Sequence, residues 1–72
     1  MTVARIAGRI LFFNESKLYG FVVAEADGKS YFFHLNDVEG KAIPQRGQRA
    51  IFEPTETPKG LRAINLKVME EN

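Results

Sequence analysis

Tyr19-Gly20-Phe21-Val22-Val23-Ala24-Glu25, then Ala26-Asp27-Gly28-Lys29, then Ser30-Tyr31-Phe32-Phe33-His34 is the stretch that decides the fold. It is two runs rich in β-branched and aromatic residues around a tight Asp-Gly turn, which predicts a hairpin. Successive side chains of a strand point to opposite faces. Tyr19 and Phe21 therefore share one face, as do Phe32 and His34, and Tyr31 and Phe33 share the other. The simplest assembly sends Val22, Tyr31 and Phe33 inward. A small barrel has one inside, so Tyr19, Phe21, Phe32 and His34 are expected outside, on adjacent strands.

Outward from the hairpin, turn signals recur at Asn14 to Lys17, at Glu39-Gly40 with Pro44 to Gly47, and at Pro54 to Gly60. The apolar segments between them predict five strands, near Val3–Phe13, Tyr19–Glu25, Ser30–His34, Gln48–Glu53 and Leu61–Met69. The last segment is ambiguous. Leu61, Ile64 and Val68 fit a helical stripe, and Ile64, Leu66 and Val68 fit strand alternation; the Thr- and Pro-rich approach favours a strand. A short helical turn is expected near Asn36–Glu39, capped by Asn36 or Asp37. The expected fold is an all-β, five-stranded antiparallel Greek-key barrel. Residues 1–69 form this one domain, and 70–72 a frayed tail.

Seventy-two residues without cysteine leave no room for a second domain and no disulfide to staple the first. One histidine, His34, offers no second imidazole or thiolate for a metal. No nucleophile–base pair is visible, so neither an enzyme nor a cofactor is expected. Arg5 and Arg9 interrupt what would be a signal peptide, and no run reaches the length of a membrane span. A cytoplasmic monomer with no membrane and no small-molecule substrate is expected. Ten Lys/Arg against nine Asp/Glu give +1; without Glu70 and Glu71 the chain carries +3. That balance permits nucleic-acid binding without demanding it, and the aromatic residues carry the argument.

Every aromatic residue except Phe52 lies within residues 12–33. Rings left on a solvent-facing sheet suit unpaired bases, whose stacking is sequence-tolerant. Any one Phe is by itself more simply a core residue, yet the two faces of the third strand cannot both be core. His34 reads equally as a structural histidine or as a base-stacking or phosphate-contacting ring. Gly20, between Tyr19 and Phe21, marks a bend or a close backbone approach. Lys17, Lys59 and Arg62 are the cations nearest this surface, whereas Lys29, Lys41 and Arg46 read as ordinary surface charge.

Gly8-Arg9-Ile10-Leu11-Phe12-Phe13-Asn14, Lys17-Leu18-Tyr19-Gly20-Phe21-Val22 and Tyr31-Phe32-Phe33-His34-Leu35 together resemble the cold-shock domain. Gly47-Gln48 before Phe52, and Lys59-Gly60 before Ala63 and Asn65, are similar to its fourth and fifth strands. The resemblance implies an oligonucleotide/oligosaccharide-binding barrel for single-stranded RNA and DNA, with RNA chaperoning or control of transcription or translation as its use. It places stacking residues at Phe12, Tyr19, Phe21, Phe32 and His34, and polar contacts at Lys17, Lys59 and Arg62.

Five features depart from the family pattern. Leu11 replaces a lysine, Phe12 a tryptophan, Leu18 a glycine and Leu35 a phenylalanine, and the loop 36–46 is short and has no aromatic. These changes imply weaker binding than a typical member shows. They also raise a rival reading, a protein-interaction module using Leu11, Leu18 and Leu35 as an apolar patch. Strict alternation would put Phe12 on the face of Ile10, whereas the resemblance puts Ile10 inside and Phe12 outside. A bulge or sharp bend in the first strand reconciles the two.

Overall fold

The computed structural model describes residues 4–69; the expected tail, 70–72, lies outside the described residues. Five strands form, β1 (Ile6–Asn14), β2 (Tyr19–Ala24), β3 (Ser30–His34), β4 (Arg49–Thr57) and β5 (Gly60–Val68), with two 3₁₀ turns, Leu35–Asp37 and Glu39–Lys41. They close into a barrel in the order β1-β2-β3-β5-β4. Four seams are antiparallel, and the barrel closes through a parallel one, where Phe32 lies beside Arg62. Closure leaves no full-length edge for another chain to pair with.

The predicted inward set is observed. Val22 and Phe33 are fully buried and Tyr31 nearly so, with Ile10, Ala24, Val38, Ala50, Phe52, Ala63 and Leu66 sharing the interior. The Tyr31 ring tilts against Phe52 with centroids 5.2 Å apart, and Phe13 stacks on Phe33 at 5.9 Å. No buried side-chain polar atom lacks a hydrogen-bond partner among the described residues. Gly20 is the close approach its position suggested. A Cβ there would stand 2.3 Å from the Phe12 carbonyl oxygen and 3.0 Å from the Phe33 ring, so β1 and β2 meet only because that side chain is absent.

Two bulges reset the alternation. In β1, Ile10 faces Val22 while Phe12 faces Phe21, so Leu11 is an extra residue with no opposite number. Ile10 stays inside and Phe12 emerges, which resolves the conflict over Phe12. In β5, Ile64 faces Glu53 and Lys67 faces Ile51, three residues against two. Asn65 takes up the surplus with a left-handed backbone, φ 48°. Ala63 and Leu66 are therefore both buried although three apart, and Leu61 and Val68 pack against the core with them. This is the source of the helix-like spacing; the segment is a strand, and Ile64 belongs to the outer face.

Beyond shifts of one to three residues at other strand ends, two features differ from expectation. β4 runs on through Pro54 to Thr57, where a turn was predicted. Its partner on the β1 side ends at Ile6↔Phe52, so beyond that point β4 pairs only with β5. A proline is tolerated there because its missing N–H faces no ladder. The predicted helical turn begins one residue early and is capped by His34 rather than by Asn36 or Asp37.

Leu18 holds φ 60° in the turn that delivers β2, and its side chain is exposed. A left-handed conformation costs an L-residue roughly 1–2 kcal/mol, against about 0.5–1 kcal/mol of backbone entropy that glycine loses on folding. Leu18→Gly is expected to raise stability by about 0.5 kcal/mol, a shift of roughly 2–4 °C in a thermal melt for a domain of this size. A lowered melting temperature would show that the Leu18 side chain contributes more than its backbone costs.

Candidate nucleic-acid interface

The outward side chains of β1, β2 and β3 meet in one patch. Register places Phe12 opposite Phe21, Phe21 opposite Phe32, and Tyr19 opposite His34. The rings follow that register. Phe12 lies 5.6 Å from Phe21 and 6.1 Å from Tyr19, and Phe32 stacks on Tyr19 at 5.8 Å and meets Phe21 edge-on at 5.9 Å. Phe12 is 37% exposed, and Tyr19, Phe21 and Phe32 are half-buried by one another. Such pairs add about 0.5–1.5 kcal/mol each beyond area burial, so the rings hold one another in place before anything binds.

His34 is on the same outward set but also performs a local task. Its Nδ1 accepts the Asn36 N–H at 3.1 Å, and Asp37 Oδ2 accepts the His34 N–H at 3.0 Å, a reciprocal cap on the 3₁₀ turn. The neutral ring must then carry its proton on Nε2. The structural reading of His34 is thus observed, in a side chain that shares the outward face of β3 with Phe32.

The three cations differ in circumstance. Lys17 is exposed in the turn held by Asn14, whose Oδ1 accepts the N–H groups of Ser16 and Lys17 at 2.9 and 3.0 Å. Lys59 is exposed at the tip of the β4–β5 hairpin, where its N–H is accepted by the Thr57 hydroxyl. Arg62 is engaged: its Nε and Nη2 both donate to Asp37 Oδ2, at 3.2 and 3.0 Å, and its guanidinium carbon sits 5.8 Å from the Phe32 centroid. Asp37 thus neutralises Arg62 and parks it over the end of the ring surface.

Between the rings and the hairpin lies a cavity of about 570 Å³, lined by Phe21, Ser30, Phe32, Thr57, Lys59, Leu61 and Arg62. Ser30, Leu61 and Asp37 were not legible as site residues. They join it only through the parallel β3–β5 seam and the turn after β3, which no local pattern announces. Of the rival leucine patch, Leu11 and Leu18 are exposed, but Leu35 packs against the core, so the three do not form one exposed surface.

No helix among the described residues is long and apolar enough to cross a membrane, and no group of three or more His, Cys, Asp or Glu among them could hold a metal.

Comparison with known proteins agrees with this geometry. Residues 6–69 match the model of the 'Cold-shock' DNA-binding domain. The chain is 36% identical over 66 residues to a cold shock-like protein of Aquifex aeolicus, covering 89% of this chain and 94% of that one. It is also 36% identical over 66 residues to the cold shock-like protein CspE of Escherichia coli K12, covering 89% and 96%. Among solved structures, Drosophila Unr CSD456 superposes with a TM-score of 0.76 at 23% identity, over 96% of this chain and 28% of that one, a likeness of fold. The chain therefore belongs to the cold-shock domain family, whose members bind nucleic acid and are not enzymes.

Proposed function

We infer that this protein binds single-stranded RNA or DNA with low sequence preference by stacking bases on Phe12, Tyr19, Phe21 and Phe32. His34 lies at the margin of that surface, Lys17 and Lys59 supply phosphate contacts, and Arg62, held by Asp37, is a latent one. The observation that carries this reading is the contiguity of the four rings on the outer sheet surface, while Phe33 and Phe52 fill the core. An RNA chaperone or a regulator of transcription or translation, acting as a cytoplasmic monomer, is the role consistent with stoichiometric binding and no chemistry.

Stacking requires bases that are not already stacked. Short pyrimidine-rich single strands are expected to bind well, and the matching duplex much less. Titration of the protein against a labelled oligothymidylate, with and without its complement, is the test. Equal affinity for strand and duplex would overturn the reading.

Salt dependence distinguishes the cations. Each phosphate contact to a single strand contributes about −0.7 to the slope of log affinity against log salt. With Arg62 held by Asp37, Lys17 and Lys59 alone predict about −1.4 for an oligomer of about four nucleotides, within the site sizes of such barrels. Asp37→Asn keeps an oxygen for the His34 N–H cap and removes the charge that holds Arg62. Its expected slope is about −2, with tighter binding at low salt. An unchanged slope would mean that Arg62 is not a latent phosphate contact.

A further inference from the structure

A second charged surface lies around the barrel from the rings. Arg9 of β1 faces Arg49 of β4 across the sheet, a juxtaposition of like charges that destabilises a ladder unless something compensates. Glu25 serves both: its Oε2 lies 3.4 Å from Arg49 Nε and 3.9 Å from Arg9 Nε. Arg9 Nη1 also donates to the Gly47 carbonyl at 3.1 Å. Beside this pair, Arg46 and Arg9 line a cavity of about 310 Å³ together with Gly47, Gln48 and Met69. Among the described residues, three arginines gather here around one glutamate. The ion pairs to Glu25 are long and exposed, the kind that contributes little and is readily exchanged for another anion.

We propose that this arginine surface binds the phosphodiester backbone of the same strand that stacks on the rings, as that strand runs on past Phe12. The inference rests on the stacking reading above. The Leu11 bulge supplies the connection. Without it, Arg9 and Phe12, three residues apart, would lie on opposite faces; with it, both point outward on β1. At about 3.3 Å per residue they are roughly 10 Å apart along the strand. A backbone leaving Phe12 toward the start of β1 thus meets Arg46, whose neighbour Gly47 is bonded to Ile10, and then Arg9 with Arg49 opposite it. Guanidinium groups suit this role, because their fork matches phosphate oxygens in pairs. The ring surface reads bases with little free charge, and the arginine surface holds backbone without reading bases.

The test compares oligothymidylates of about four and about twelve nucleotides, the short one confined to the rings. For the unaltered protein the slope of log affinity against log salt should steepen from about −1.4 to roughly −2.8 or beyond as the oligomer lengthens. The double variant Arg46→Gln/Arg49→Gln, which leaves the Arg9 bond to Gly47 in place, should bind the short oligomer normally and lose the extra slope on the long one. Arg46→Lys/Arg49→Lys, keeping the charge, should retain most of it. A slope that does not change with length in the unaltered protein overturns the proposal whether or not the variants fold. So does a double variant that matches the unaltered protein on the long oligomer. If the short oligomer fails to bind while the long one binds through the arginines, the stacking reading falls and the arginine surface stands. If neither binds, both fall.

Discussion

Phe33→Ala is expected to unfold much of the protein. Phe33 is fully buried, stacked by Phe13 and pressed against the backbone at Gly20. Truncation removes the largest kind of apolar side chain this core contains and leaves a cavity that rigid strands on all sides cannot fill. Such a change costs roughly 3–5 kcal/mol. A domain of this length has on the order of 4–11 kcal/mol in total, at about 0.05–0.15 kcal/mol per residue. A thermal melt reads the outcome. A melting temperature within a few degrees of the unaltered protein would mean that Phe33 is not the centre of the core, and that the barrel interior is organised otherwise.

Phe32→Ala, one residue away, should have the opposite profile. Phe32 points outward, half-buried among Tyr19, Phe21 and the Arg62 guanidinium. Its loss should lower the melting temperature only modestly, since the interior is untouched and a ring cluster of three remains. Oligonucleotide binding should weaken by about 1–3 kcal/mol, the worth of one stacked base. Phe21→Ala belongs with it, because Phe21 touches Phe12, Tyr19 and Phe32 alike. The measurements are a melt and an oligonucleotide titration on each variant. Two folded variants that bind normally would remove the ring surface from the function altogether. A Phe32→Ala that unfolds while Phe33→Ala stays folded would invert the faces of β3.

The pair also shows where sequence reasoning was strong. Strand parity in β2 and β3 follows from a short hairpin whose two arms are neighbours in the chain and whose turn, Asp27-Gly28, leaves little choice of register. Asp27 Oδ1 accepts the Lys29 N–H, and Gly28 supplies the positive φ the turn needs. With register local, inside and outside follow from alternation alone, and so does the gathering of Tyr19, Phe21 and Phe32. Phe12 was different. Its face depended on whether β1 was bulged, and Leu11 bears no mark of a bulge in its own identity.

The same distinction governs the charges. Lys17 and Lys59 stand in turns visible in the sequence, and the structure leaves both exposed there. Arg62 was recognisable as a cation beside the site but not as one already matched, because Asp37 lies 25 residues away in the chain. Arg46 read as unremarkable surface charge, since nothing in a linear reading brings it to Arg9, 37 positions earlier.

The sequence by itself thus determined the number of strands, the two faces of the central hairpin, the identity of the ring cluster and the absence of a cysteine or second histidine to staple the fold. Each follows from short-range alternation, turn chemistry or composition, which operate within a few residues. Tertiary structure decided the rest: the bulges at Leu11 and Asn65, the passage of β4 through Pro54, the neutralisation of Arg62 and the meeting of Arg9 with Arg49. All of these depend on how distant strands come into register when the barrel closes. Closure balances the packing of one small core against the geometry of all five seams at once, and no single segment carries that balance.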